Sequence, residues 1–166
     1  EATLMVIELD TPGGFLNSTR EIVQALLDAP IPVAVYVSPR GAHAGSAGTF
    51  IATAAHFSVM APGTNIGAAT PLPNTGDNSG NTRDIKIEND AAALIRSIAQ
   101  ERGRNEDKLE VTVRHAASFS ANEAVALNVA DFIATDLDDL LSQLEGQVVE
   151  VTSGTSTLDT KDLTYR

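Results

Sequence analysis

Ser46 lies in the stretch Gly41-Ala42-His43-Ala44-Gly45-Ser46-Ala47-Gly48, where seven of the eight residues are Gly, Ala or Ser. So little side-chain bulk lets another backbone approach closely and lets the chain turn sharply. The apolar run Val33-Ala34-Val35-Tyr36-Val37 before it reads as a buried strand, and Thr49 to Ala55 after it reads as helix. A serine at a strand-to-helix turn presents its hydroxyl, and the helix N-terminus behind it favours a developing negative charge. That is the setting of a nucleophile. The same composition also suits a plain turn that packs a helix tightly on a sheet.

A serine hydroxyl attacks only when a neighbouring base takes its proton. The candidates are His43, His56, His115 and the three lysines, Lys86, Lys108 and Lys161. Lys108 sits in the charged run Glu106-Asp107-Lys108 and Lys161 in a polar tail, whereas Lys86 is flanked by Ile85 and Ile87 at the expected start of a long helix. A lysine serves as a base only when neutral, so the ordinary amine pKa of ~10.4 must fall to roughly 7–8. Burial and the positive end of a helix dipole push that way; Glu88 and Asp90 oppose it if they face the amine. His43 is too near Ser46 in sequence to reach round to the hydroxyl. His56 ends the helix that Ser46 begins, about 15 Å away at 1.5 Å per residue, and reads as a packing residue. His115 reaches the site only if the fold brings it there, so a Ser-His-Asp triad stays open.

An oxyanion needs two donors. The Ala47 N–H, directly after the serine, is the natural first. The second comes from Gly13 or Gly14 in Asp10-Thr11-Pro12-Gly13-Gly14, a turn expected at the same sheet edge. No histidine pair has metal-ligand spacing, and no glycine run matches a phosphate loop or a dinucleotide fingerprint, so neither metal nor cofactor is expected.

The elements that must position these residues follow a β-α-β order. A strand over Leu4–Leu9 precedes a helix capped by Asn17 or Ser18 and running to Leu27; Pro30 and Pro32 break it before the second strand. A further strand is expected over Phe57–Met60. Residues Thr70 to Arg83, rich in Asn, Gly and Pro, read as a mobile loop. A long helix follows from about Ile87 to Arg102 with Ile87, Ala91, Leu94, Ile95 and Ile98 on one face. Ser120 and Glu123 have capping-box spacing for a helix to Leu127; a strand near Phe132–Ala134, a helix near Leu137–Leu144 and a terminal hairpin or extended tail complete the chain.

The 166 residues are 43% hydrophobic and only 4% aromatic, which suits one globular domain with an aliphatic core. Lysine plus arginine total 11 against 22 acidic residues, a formal charge of −11, which argues against nucleic acid and anionic membranes as partners. With no cysteine, disulfides and thiol nucleophiles are excluded. No run approaches the ~18 apolar residues of a membrane span. The chain opens at Glu1, without methionine, and almost at once enters a strand, so it reads as an excised or trimmed domain.

Taken in order, Leu9-Asp10-Thr11-Pro12-Gly13-Gly14, Gly41 to Gly48 with Thr49-Phe50-Ile51, Met60 to Ala69, Lys86 to Asp90 and Phe119 to Ala124 resemble the ClpP/crotonase superfamily. The nearest resemblance is to its membrane-bound serine protease branch, the NfeD-type proteins that accompany stomatins. The resemblance implies an α/β fold of repeated β-β-α units with a parallel sheet flanked by helices. It implies a Ser-Lys endopeptidase, with Ser46 as nucleophile, Lys86 as general base, an oxyanion hole from Gly13, Gly14 and Ala47, and substrate backbone running along Gly45, Ile66, Gly67 and Ala68. It further implies hydrophobic peptide substrates, including the C-terminal region of a stomatin-like partner, and a homodimer or larger homo-oligomer. The protease domain would occupy residues 1–146, with 147–166 as an appended hairpin or tail. Membrane contact would come through segments absent from this chain, with the domain itself extracytoplasmic. Two features depart from relatives: the strand and helix that normally precede the first strand are missing, and Thr70-Pro71 stands where His-Pro is common.

Two other classes compete with a peptidase. Acyl-CoA chemistry occurs on the same fold, but no basic cluster here would hold the phosphates of coenzyme A. A non-catalytic scaffold would bind a stomatin-like partner without cleaving it.

Overall fold

The computed structural model describes residues 2–72, 82–161 and 163. A four-stranded parallel sheet is formed by β1 (Met5–Leu9), β2 (Val33–Val37), β4 (Phe57–Met60) and β7 (Phe132–Ile133), in the spatial order β1-β2-β4-β7. β2 is buried along its whole length, which explains its unbroken apolar run. On one face Val33, Val35, Val37 and Met60 meet α1 (Leu16–Leu27), α2 (Ala47–Ala54) and α3 (Thr82–Arg102) through Val23, Leu26, Phe50, Ile95 and Ile98. On the other, Ala34, Tyr36 and Val59 lie under Leu140 and Leu144 of α6 (Leu137–Leu144) and under Leu158.

A second, smaller sheet stands where the main strands end. β5 (Asn65–Gly67) pairs parallel with β3 (His43–Gly45) and antiparallel with β6 (Ser118–Ser120). The chain therefore repeats a unit of main strand, small-sheet strand and helix: β2-β3-α2, then β4-β5-α3. This is the α/β architecture of β-β-α units with a flanked parallel sheet. Each small strand has three residues, too few for an alternation to be read from sequence.

Several boundaries differ from expectation. The first helix begins at Leu16 with Phe15 at the cap position and no side-chain cap bond, so Asn17 and Ser18 lie inside its first turn. The Gly13-Gly14 turn launches the helix directly. α3 begins at Thr82, which places Lys86 in the second turn rather than at the start; Asp84 in the first turn complements the helix dipole. The run Glu106-Asp107-Lys108 is the first turn of an unanticipated helix, α4 (Glu106–Arg114), capped by the Asn105 side chain. Its ion pairs, Glu110 with Arg96 and Arg114 with Glu88, fasten it to α3.

The expected capping box is present at the start of α5 (Ala121–Ala126). The terminal segment forms the hairpin β8 (Val148–Val151) and β9 (Gly154–Thr157), and the Thr152 hydroxyl donates to the Asp28 carbonyl. Most of the loop expected over Thr70–Arg83 lies outside the described residues.

Candidate active site

Register fixes where the site forms. Leu9 is opposite Val37, so the chain leaves β1 and β2 at the same edge of the main sheet. Beyond that edge Thr11 forms a parallel bridge with Ala44: its N–H donates to the His43 carbonyl and its carbonyl accepts from the Gly45 N–H. The Pro12-Gly13-Gly14 turn is thereby laid against the turn that carries Ser46.

Ser46 joins β3 to α2 with φ 49 and ψ −111, a conformation serine rarely adopts. Such a backbone costs on the order of 1–3 kcal/mol and persists only where its surroundings impose it. Here the Ser46 N–H donates to the Gly67 carbonyl at 3.0 Å, and the Thr49 hydroxyl lies 2.9 Å and 3.0 Å from the Ala44 and Gly67 carbonyls. Although Ser46 occupies the N-cap position, its side chain makes no capping bond. Among the described residues, the hydroxyl that would ordinarily cap the helix has no hydrogen-bond partner, and the residue is half-buried.

The small residues allow this crowding. A Cβ on Gly13 would stand 3.0 Å from the Ser46 Cβ, one on Gly14 would stand 3.5 Å from the Ala47 Cβ, and one on Gly48 only 2.7 Å from the Thr11 methyl. Gly67 touches Ala117 so closely that a Cβ would come within 2.3 Å of its carbonyl oxygen. Among the described residues, neither the Gly14 nor the Ala47 N–H has a hydrogen-bond partner. The Gly13 N–H, by contrast, donates to Thr11 Oγ1 at 3.2 Å. Two unengaged amides beside one unengaged hydroxyl are the parts needed to hold an anionic oxygen.

Beside them a cavity of about 200 Å³ has Leu9, Phe15, Ile22 and Ile51 in its walls. Phe15 is 86% exposed. The larger cavity, about 580 Å³, lies around Glu8, Tyr36, Arg40 and Asp136 and includes none of these groups.

The remaining candidates are placed as follows. Gly45 is buried, with the His43 ring edge and the Pro12 carbonyl both 3.1 Å from its would-be Cβ. Ile66 is buried in the centre of the small sheet; Ala68 is exposed, has φ 50 and donates its N–H to the Ala117 carbonyl. Lys86 is exposed and makes no hydrogen bond or ion pair among the described residues, with Ser46 or otherwise. The carboxylates feared as opponents face elsewhere: Glu88 pairs with Arg114 at 3.2 Å and Asp90 pairs with Arg20 of α1.

No histidine is hydrogen-bonded to Ser46. His43 Nδ1 lies 3.3 Å from Asp10 Oδ1, whose carboxylate also accepts the His43 N–H. His56 is buried, accepts the Val33 N–H on Nδ1, and has its pKa lowered to about 4 by burial, then by Arg102 and Arg104. His115 is exposed at the end of α4. Sequence reasoning did not single out Asp10 or Thr11: the Asp10 carboxylate and the Thr11 backbone meet His43 and Gly45 far along the chain, and the short Thr11–Gly13 bonds gain meaning only once that pairing sets the turn beside Ser46. Among the described residues no group of three or more His, Asp or Glu is placed to hold a metal ion.

Residues 1–153 match the family model for the NfeD1b N-terminal domain. The chain is 40% identical over 151 residues to membrane-bound protease PH1510 of Pyrococcus horikoshii, covering 90% of this chain and 34% of that protein. It is 36% identical over 84 residues to membrane protein NfeD1b of Bacillus subtilis, covering 51% of this chain and 18% of that one. The chain thus spans about a third or less of the curated relatives it matches. Among solved structures, a lysine-to-alanine mutant of the 1510-N membrane-bound stomatin-specific protease, in complex with a substrate peptide, superimposes with a TM-score of 0.90 at 37% identity, covering 99% of this chain and 77% of that one. A serine-to-alanine mutant of the same protease gives the same TM-score and identity, covering 99% and 81%.

Proposed function

The chain belongs to the NfeD1b N-terminal domain family, and from that premise we propose that it is a serine endopeptidase with a Ser46–Lys86 dyad. The observation that carries the reading is the free Ser46 hydroxyl set against two unengaged amides, Ala47 and Gly14. Ser46 Oγ attacks the scissile carbonyl while its proton passes to the neutral Lys86 amine. The oxyanion is held by the Ala47 N–H and the Gly13-Gly14 turn. Collapse of the tetrahedral adduct breaks the C–N bond, with the proton on Lys86 going to the departing amine. Water, relieved of a proton by the same lysine, then attacks the acyl-serine ester and frees the enzyme.

Lys86 is exposed in the free protein, so substrate must complete the site. Ile85 is 61% exposed beside it, and an apolar peptide lying there strips water from the amine. Desolvation favours the neutral form that a base requires. Exposed Phe15 and Ile22 at the neighbouring cavity suit the same apolar partner. The names of the solved relatives point the substrate toward a stomatin-like membrane protein, and Gly45, Ile66, Gly67 and Ala68 are assigned as the backbone that receives it. Residues 1–146 are assigned as the protease domain and 147–166 as an appended hairpin segment, in a protein that works as a dimer or larger oligomer.

The curated relative is membrane-bound, and no helix among the described residues is long and apolar enough to cross a membrane. We assign this domain to the extracytoplasmic side, with attachment through other segments. A scaffold that binds the same partner without cleaving it is favoured by one observation, the absence of a Ser46–Lys86 hydrogen bond. Covalent labelling by a serine-directed phosphonate separates the two: the protease is labelled at Ser46 and the scaffold is not.

A further inference from the structure

We infer that Thr11 is the positioning residue of the oxyanion hole: its hydroxyl sets the direction of the Gly14 N–H. The inference rests on the serine-protease reading of the same site.

Thr11 Oγ1 accepts the Gly13 N–H at 3.2 Å and donates to the Gly13 carbonyl at 3.0 Å. The Gly13 carbonyl and the Gly14 N–H belong to one planar trans peptide, so a bond that holds the oxygen on one side aims the N–H to the other. Among the described residues the Thr11 hydroxyl is the only group bonded to both the N–H and the carbonyl of Gly13, and its bond to the carbonyl fixes the plane that carries the Gly14 N–H.

Thr11 is itself anchored to the nucleophile. Its N–H and carbonyl bond His43 and Gly45 at 2.8 Å and 2.9 Å, and its methyl packs where Gly48 leaves room. A continuous hydrogen-bonded path thus runs from β3, which carries Ser46, through the Thr11 backbone and hydroxyl to the peptide carrying the second donor. Without the hydroxyl, that amide is free to rotate away, and stabilisation is lost where charge develops, in the transition state, rather than in substrate binding.

Thr11→Val, Thr11→Ala and Thr11→Ser separate the hydroxyl from the methyl. On an apolar peptide, the valine and alanine variants should lose about 10- to 100-fold in kcat with KM within about twofold, and Thr11→Ser should stay within about threefold of wild type. In amide NMR spectra the Gly13 and Gly14 resonances should shift in the valine and alanine variants and return close to wild type in the serine variant. Unshifted amides, or equal losses in alanine and serine, overturn the inference while leaving Ser46 labelling, and the protease reading, untouched. If Thr11→Val does not fold, the alanine-to-serine comparison decides alone. Shifted amides in a protein whose Ser46 is never labelled would uphold the Thr11 clamp and sink the protease reading.

Discussion

Gly13 lies directly over Ser46: a Cβ added to the glycine would stand 3.0 Å from the serine Cβ and 3.4 Å from its hydroxyl oxygen. The hydroxyl needs that space, and φ 149 at Gly13 disfavours any side chain.

Gly13→Ala should therefore reduce phosphonate labelling of Ser46 by at least about 100-fold and destabilise the fold by about 2–4 kcal/mol, through overpacking and backbone strain. Gly14→Ala meets only ordinary contact, at 3.5 Å from the Ala47 Cβ, and should cost under about 1 kcal/mol. Thermal melts and labelling rates of the two variants check the contrast.

Ser46 stores strain at φ 49, which glycine would relieve. Ser46→Gly should abolish turnover and raise stability by about 1 kcal/mol, whereas Ser46→Ala should abolish turnover without that gain. Denaturant midpoints decide it.

His56 is held neutral in the fold, with a pKa of about 4 against an ordinary 6.5. The unfolded chain therefore binds its proton first. The contribution is complete above pH 6.5 and is lost as pH falls toward 4, at most about 3 kcal/mol in all. His56→Asn can still accept the Val33 N–H, its Oδ1 standing where Nδ1 does, and has no proton to gain. Between pH 7 and pH 4.5 its melting temperature should fall less than that of wild type.

Arg104 is buried, 3.1 Å from Asp131, and donates to the Ala55 carbonyl, tying the segment after α3 to the end of α2 and the start of β7. Arg104→Ala removes the bonds to Asp131 and to the Ala55 carbonyl, while the exposed Asp131 keeps the Ser58 N–H, and should cost about 1–3 kcal/mol, or on the order of 5 °C in Tm. Activity per folded molecule should survive, since Arg104 is not among the Ser46 contacts.

The parts of the fold legible in the sequence are those with local cause. The aliphatic run of β2, the amphipathic face with Ala91, Ile95 and Ile98, and the Ser120–Glu123 capping box were all readable because propensity and periodicity specify them without help from distant residues. The small sheet was not, because three-residue strands such as Asn65–Gly67 are strands only by virtue of their partners. α4 was hidden because its first turn is all charge, and its place is set by ion pairs with α3. At the candidate site, Ser46 and the two glycines drew attention by composition and Ala47 by its place directly after the serine. Thr11 and Asp10 did not, since their places beside Ser46 depend on bonds to His43 and Gly45 that only the tertiary fold makes. Lys86 was visible as a lysine between two isoleucines, but its exposure on the second turn of α3 was not.

The Ser46–Lys86 dyad is tested by turnover of an apolar peptide from a stomatin-like C-terminus across pH 5 to 10. Among wild type, Ser46→Ala and Lys86→Ala, wild type and the lysine variant should be equally stable, because Lys86 is exposed and has no partner among the described residues. Cleavage is expected of wild type alone, with a rate that climbs toward alkaline pH through a single ionisation. Full activity in Lys86→Ala, or activity lost instead on replacing His43, would contradict it.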